Sequence, residues 1–552
     1  MFALGTINEA IADAIPESEA IVTPARRLTW RDFQMRSRRL ANLMLGAGLG
    51  CQRERSELQP WESGQDHLAL YLYNGHEYLE GMIGAYKARV APFNVNYRYV
   101  EGELRYLLTD AQTRGIIYHA SFAPRLATIL PSLPKQALLL QVADGSGEPL
   151  LPGARDYESA LASASDALPP VTPSEDDLYI LYTGGTTGMP KGVLWRQRDI
   201  FFAAMGGQLP GGMGTVQDLR EMVERAPLGS FIRALPAPPF MHGAAQWSSF
   251  MILHQGGSIV LPGNTRALDA DDIWRTVERE RVGTLSIVGD AFARPLLDQL
   301  KRASYDLTSL HILGSGGAIL SPPFKRAFLD ALPDLMIFDG FGSSETGAQG
   351  ATLTTKGDAV APSFKMDPDT CVLDEQLTRR LAPGEDAIGW LARTGWLPLG
   401  YFNDAEKTRR TYPTVGGERY AVPGDRAQVS ADGSIVVFGR DSVCINSGGE
   451  KIFAEEVEKA LKHHPAVYDA VVAGAPSERW GEQVTAIVQL RAGARASEDE
   501  LLQTAAAHLA RYKLPKAFVV VDQILRSASG KPDYRWAKEM AAKAKAGQGR
   551  SL

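Results

Sequence analysis

The sequence predicts an α/β chain in two unequal parts: 1–439, mostly parallel sheets covered by helices, and 440–552, a small α+β unit. Three observations predict it. First, apolar runs of strand length alternate with stretches of helical periodicity, as in 284–288 before 291–300 and 310–313 before 322–332. Strand then helix, repeated, implies parallel strands covered on both faces. Second, no unit of roughly 20–50 residues recurs, which excludes solenoids and propellers. Third, the texture changes after a hairpin-like run at 431–438, where Gly439-Arg440-Asp441-Ser442 leads into shorter elements.

The elements follow in order. Leu178-Tyr179-Ile180-Leu181-Tyr182 reads as a buried strand and Val193-Leu194-Trp195 as its continuation beyond a loop. Gly, Pro and charge content marks 56–65, 146–154 and 208–230 as surface insertions. Past the boundary, a helix at 454–463, strands at 470–473 and 484–490, a helix at 498–509 and a strand at 517–521 suit one small unit. The lysine-rich end, 536–545, reads as a solvated last helix.

Composition excludes several functions. The 552 residues are 45% hydrophobic with a net charge of −6, enough for large cores and the wrong sign for nucleic acid. Three dispersed cysteines, Cys51, Cys371 and Cys444, form neither a disulfide framework nor a zinc motif and suit a reducing cytoplasm. No apolar stretch is long enough to span a membrane, and the N-terminus lacks a signal-peptide pattern.

The loop Tyr182-Thr183-Gly184-Gly185-Thr186-Thr187-Gly188-Met189-Pro190-Lys191-Gly192 is built to hold phosphate. Glycines let backbone N–H groups close around an anion, threonine hydroxyls add donors, and lysine supplies charge. It is not a Walker loop, because Lys191 follows Pro190 and precedes Gly192. The segment resembles the phosphate loop of the adenylate-forming superfamily of acyl-CoA synthetases, luciferases and peptide-synthetase adenylation domains. Further motifs stand in that family's order. Pro238-Pro239-Phe240-Met241-His242-Gly243 resembles the segment bordering the carboxylate pocket, with plain packing as the other reading of His242. Gly314-Ser315-Gly316-Gly317-Ala318 resembles the loop along the adenine, and Phe341-Gly342-Ser343-Ser344-Glu345-Thr346 the motif whose glutamate holds magnesium. Pro423-Gly424-Asp425 and Gly439-Arg440 resemble the ribose contacts, and Ser527-Ala528-Ser529-Gly530-Lys531 the C-terminal lysine loop.

The resemblance covers nearly the whole chain. It implies catalytic roles for Thr187, His242, Glu345 and Lys531, with Glu345 on the metal. It implies nucleotide contacts from Thr183, Gly184, Gly185, Thr186, Thr187, Gly188, Lys191, Gly316, Gly317, Ala318, Phe341, Gly342, Ser343, Ser344, Asp425, Arg440 and Lys531. Ser447, Gly448 and Gly449 are implied on CoA, with a simple turn as the other reading of the two glycines. The implied cofactors are ATP, Mg²⁺ and the co-substrate CoA, and the C-terminal unit is implied to be mobile, rotating between two half-reactions. Homodimer formation stays open.

The implied reaction activates a carboxylic acid as acyl-adenylate and transfers it to a thiol. Asn446-Ser447-Gly448-Gly449-Glu450-Lys451 and Gly530-Lys531-Pro532-Asp533-Tyr534-Arg535-Trp536, among others, resemble the branch acting on steroid side-chain or long-chain acids. Small residues Gly243, Ala244, Ala245, Gly316, Gly317 and Ala318 agree with a wide ligand and equally with close packing. Transfer to a carrier-protein thiol, specialisation for the thioester step, and a non-catalytic sensor are the competing readings. Ser442 near the hinge, Phe341 for the usual tyrosine, and the longer loop at 56–65 depart from the family pattern without removing a catalytic group.

Overall fold

A computed structural model describes residues 1–183, 189–208, 214–318, 320–358, 365–447, 450–477, 480–527 and 530–545. One sheet has eight strands in the spatial order Gly400–Tyr401, Lys191–Arg196, Leu178–Thr183, Ala91–Asn94, His67–Tyr71, Thr113–His119, Leu138–Val142 and Arg155–Asp156. From Leu178–Thr183 to the far edge all neighbours are parallel, and Lys191–Arg196 turns back antiparallel. Every residue of His67–Tyr71 is buried, as a parallel strand covered on both faces requires.

The second sheet has nine strands. Met336–Ser343, Ile312–Gly316, Thr284–Ile287, Arg233–Pro236, Ser258–Val260 and Glu19–Val22 form its parallel centre, with antiparallel strands at both edges. The expected strand-helix units are Thr284–Ile287 before helix Gly289–Leu300, and Ile312–Gly316 before helix Pro322–Ala331. In register, Leu285, Leu313 and Ile337 share the face buried with Trp274 and Phe328, while Ser286, Gly314 and Phe338 share the other.

An all-antiparallel sheet of Thr370–Leu373, Gly389–Arg393, Asp425–Val429 and Ile435–Arg440 follows. The expected hairpin at 431–438 is its last turn and strand. Beyond it, five strands and helices Ala454–Leu461, Glu498–Ala506 and Tyr534–Lys545 close around a core running from Val443 to Ala541 that shares no residue with the other clusters. Ser497 starts one of these helices with a reciprocal capping box to Glu500.

One expectation fails. The 208–230 stretch is not all surface insertion, since it contains helix Leu219–Gly229, capped by Asp218 and burying Met222 and Ala226 in the core of Ile7 and Ile11. Arg220–Glu224 and Glu221–Arg225 pairs cover its outer face, which is why its composition reads as loop. Among the described residues, no helix is long and apolar enough to cross a membrane.

Candidate active site

The C-terminal ends of the parallel strands, the antiparallel sheet and the small C-terminal unit enclose one cleft of about 3320 Å³. Thr183, His242, Gly316, Gly317, Phe341, Ser343, Ser344 and Lys531 all line it, so residues up to 348 apart in sequence meet there. Ala318 packs against the neighbouring core instead. Gly184, Gly185, Thr186, Thr187 and Gly188, and Gly448 and Gly449, lie outside the described residues.

Strand pairing sets the flanks of the glycine-threonine loop, because Thr183 faces Lys191 across an antiparallel ladder. The Lys191 ammonium sits 3.8 Å from Asp110 and 3.7 Å from Asp404. Burial pulls its pKa down, but Asp110, Tyr106 and Asp404 outweigh that and raise it. Asn94 locks the loop's approach: its Nδ2 donates to the carbonyls of Tyr182 (2.8 Å) and Met241 (2.7 Å), and its Oδ1 accepts from Tyr182 N (2.8 Å). Asn74 holds the Pro238–His242 turn from the other side, accepting from Phe240 N at 2.6 Å and donating to Pro238 O at 2.9 Å. Neither asparagine is visible in the motifs, since only sheet order brings them there.

His242 precedes helix Gly243–Leu253. The residue is partly exposed, but its Nε2 is buried and has no hydrogen-bond partner among the described residues. Desolvation, with Lys531 and Arg98 nearby, holds its pKa at about 3, so the imidazole is neutral at physiological pH. An unpartnered buried nitrogen on the cleft wall fits a ligand contact.

At the end of strand Met336–Ser343 the chain reverses tightly. A Cβ on Gly342 would fall 2.1 Å from the Gly347 carbonyl, so glycine is obligatory there. Thr346 Oγ1 accepts from Ser343 N at 3.1 Å and bonds Gln349 at 3.0 Å. This turn presents Glu345, whose Oε1 accepts a 2.8 Å hydrogen bond from the buried Tyr401 hydroxyl. Trp195 Nε1 and Arg393 Nη1 donate to the carbonyls of Ser344 and Thr346, each at 2.9 Å. Tyr401, Trp195 and Arg393, like the two asparagines, support the site from strands elsewhere in the chain, and no motif marks them for it.

Asp425 and Arg440 are direct partners across their ladder, Nε to Oδ1 3.7 Å. Burial raises the Asp425 pKa, opposed by Arg440. Lys531 follows a self-supporting turn: Ser527 N donates to Lys531 O (2.9 Å), Gly530 N to Ser527 O (2.9 Å), and Arg526 Nη1 to Gly530 O (2.8 Å). Arg526 is itself clamped by Asp469. Gly530 has φ +72° and lies against Ala291, which seats the turn on helix Gly289–Leu300. Protein around the Lys531 ammonium, and the like charge of Arg440, pull its pKa below the ordinary lysine value, against Glu345, Asp425 and Glu455. Glu455 is a further member of this cluster, pushed up to about 8 by burial and by Glu458 and Asp425. It lies in the first turn of helix Ala454–Leu461. Ser447 is buried at the end of strand Cys444–Ser447, paired with Gly481.

Small residues divide in two. Gly243 is small because a Cβ would strike Leu181 at 2.8 Å, and Ala245 is fully buried in the core, whereas Ala244, Gly316 and Gly317 border open cleft.

Residues 9–392 match the AMP-binding enzyme family, and residues 456–531 match the AMP-binding enzyme C-terminal domain. Medium-chain acyl-CoA ligase Mig of Mycobacterium avium is 52% identical over 540 residues, 98% of either chain. A 3-oxocholest-4-en-26-oate–CoA ligase of Rhodococcus rhodochrous is 40% identical over 546 residues, 97% of this chain and 95% of that one. The crystal structure of an anthranilate CoA ligase in complex with anthranoyl-AMP superposes with a TM-score of 0.81 at 21% identity, covering 98% of both chains, a likeness of fold.

Proposed function

The chain belongs to the AMP-binding enzyme family, and from that premise we propose that it is an ATP-dependent ligase joining a hydrophobic carboxylic acid to CoA through an acyl-adenylate. The observation that carries the reading is a charged cluster at one cleft: Lys531 and neutral His242 line it, and Glu345, Asp425 and Arg440 act electrostatically on Lys531. A carboxylate is a poor electrophile, so its oxygen attacks the α-phosphorus of ATP and pyrophosphate departs. The CoA thiol then attacks the adenylate carbonyl, and AMP leaves.

Each residue has a task in this reading. Asp425 takes the ribose hydroxyls and Arg440, beside it, faces sugar and phosphate. Lys531 and the donors of the loop from Thr183 to Lys191 offset charge at the phosphates during adenylation. His242 offers its unpartnered nitrogen to the acid. Glu345, oriented by Tyr401, would hold Mg²⁺; one protein carboxylate fits an ion carried mainly by nucleotide phosphates. Such an ion neutralises phosphate charge when bound. Residues 440–552 form the part that rotates between steps, and Ser447, Gly448 and Gly449 then meet CoA. The Cys51 and Cys371 thiols, pushed up by burial, suit a cytoplasmic setting.

The test is to incubate the purified protein with ATP, Mg²⁺, CoA and a panel of medium-chain, long-chain and polycyclic acids, reading acyl-CoA, acyl-AMP and AMP by mass spectrometry. Acyl-CoA and AMP in equal amounts are expected. Acyl-AMP without acyl-CoA would overturn CoA as acceptor in favour of a carrier protein.

A further inference from the structure

The C-terminal unit meets one face of helix Gly289–Leu300 at two points. Ala291 and Arg294, three residues apart, are neighbours on that face. At the first, Gly530 approaches so closely that a Cβ built on it would lie 3.1 Å from Ala291 Cβ. At the second, the Arg294 guanidinium carbon lies 4.2 Å from the ring centre of Tyr468 and 4.8 Å from that of Phe324. Phe324 belongs to the neighbouring helix Pro322–Ala331, whereas Tyr468 belongs to strand Val467–Ser477 of the C-terminal unit. The cation is therefore held between two aromatic faces, one from each part of the chain.

Arg294 is only 6% exposed, and its Nη1 has no hydrogen-bond partner among the described residues. Burial and the like charge of Arg491 pull its pKa below the ordinary arginine value, with Tyr468, Asp469 and Asp290 opposing them. The ring faces are what the buried charge rests on. That choice has a consequence. A buried ion pair strands a charge when one partner leaves, whereas withdrawal of Tyr468 opens the guanidinium to water and strands none. The contact is of a kind that can be made and broken.

From Tyr468 a fixed line of contacts runs to Lys531. The next residue, Asp469, binds Arg526 through both carboxylate oxygens, at 2.6 and 2.8 Å. Arg526 Nη1 donates to the Gly530 carbonyl at 2.8 Å, and Lys531 follows in the chain. The Tyr468 and Gly530 contacts thus seat the lysine turn at two points on one helix. One point would leave a pivot, and two fix an orientation.

We propose that Arg294 is a positioning residue for adenylation: gripping Tyr468, it holds the C-terminal unit in the orientation that brings Lys531 into the cleft, and it releases the unit for the thioester step. This inference rests on the ligase reading and goes beyond it, since that reading requires only that the unit rotate and does not say what holds it.

The experiment measures the half-reactions separately in Tyr468→Leu, Tyr468→Phe and Arg294→Met, with pyrophosphate exchange reporting adenylation and acyl-CoA from supplied acyl-AMP reporting the thioester step. A desolvated cation over a ring shifts an equilibrium by about tenfold or more. Tyr468→Leu and Arg294→Met should each slow pyrophosphate exchange by that factor and leave the thioester step at or above the wild-type rate. Tyr468→Phe keeps the ring face and should exchange as wild type does. In a Lys531→Ala background, Tyr468→Leu should cost nothing further, because the orientation matters only through that lysine. Tyr468 is half-buried and outside the core of its unit, so Tyr468→Leu tests the contact even where Arg294→Met fails to fold. Equal losses in both half-reactions, wild-type exchange in Tyr468→Leu, a Tyr468→Phe variant as slow as Tyr468→Leu, or a further loss in the Lys531→Ala background overturns the positioning role and leaves the ligase standing. A wild-type protein that activates no acid overturns the ligase reading and this inference together.

Discussion

Lys531→Ala should separate the two half-reactions. The turn carrying Lys531 is held by its own backbone bonds among Ser527, Gly530 and Lys531 and by Arg526, none of which uses the lysine side chain. Removing the side chain therefore removes a charge and leaves the turn. In the protein-enclosed cleft that charge is one preorganised donor facing developing negative charge on the phosphates, and loss of one such donor costs about 10²–10³ in kcat, or roughly 2.7–4 kcal/mol. Adenylate formation, read by pyrophosphate exchange, should fall by that factor. Thioester formation from supplied acyl-AMP, read as acyl-CoA, should stay close to wild type, because no phosphate charge builds up there. The Lys531 pKa is also depressed, by desolvation and Arg440. Wild-type adenylation should thus decline at a lower pH than an ordinary lysine dictates, and the Lys531→Ala variant should lack that decline. Equal loss in both half-reactions, or an unchanged pyrophosphate exchange rate, would refute the reasoning.

Asp425→Ala should raise the KM for ATP with a smaller change in kcat, since hydrogen bonds to a charged group contribute about 1.5–3 kcal/mol each; steady-state kinetics at varied ATP check this, and an unchanged KM contradicts the ribose role. Tyr401→Phe removes the 2.8 Å bond that orients Glu345, and should raise the Mg²⁺ concentration needed for half-maximal adenylation by about 10-fold or more, as second-layer changes at metal sites do. Glu80 is wholly buried and accepts from Arg36, His76 and Tyr157, so Glu80→Ala should destabilise the fold by about 3–5 kcal/mol in urea titrations by stranding those donors. Burial pushes the Glu80 pKa up, but His76 and Arg36 outweigh it and hold the value at about 2. Its contribution is present above the ordinary carboxylate value and lost as pH falls toward 2, so wild-type stability should drop over that range more steeply than the variant's.

The Glu345 turn, the Asp425–Arg440 pair and the turn before Lys531 were legible as motifs because each is a local device. Gly342 must be glycine to reverse the chain, and Asp425 and Arg440 sit at fixed places on one hairpin. The strand-helix alternation was equally legible, because burial on both faces writes an unbroken apolar run such as Leu178–Tyr182. Helix Leu219–Gly229 was not, because surface ion pairs masked its buried stripe.

Sequence alone determined the chemistry available to this protein: which charges, hydroxyls and glycines exist, and in what order. Tertiary structure decided which of them act on one another. Asn94 and Asn74 reach the site only through sheet order, Tyr401 reaches Glu345 from 56 residues away, and Glu455 joins the charged cluster only where the C-terminal unit docks. It also decided which small residues make room. Gly243 and Gly314 look alike in a sequence, and only the neighbours of the absent Cβ, a leucine at 2.8 Å for one and open cleft for the other, separate packing from a binding surface. The physical reason is that short-range sterics are encoded residue by residue, whereas desolvation and complementarity are properties of the space that distant segments enclose.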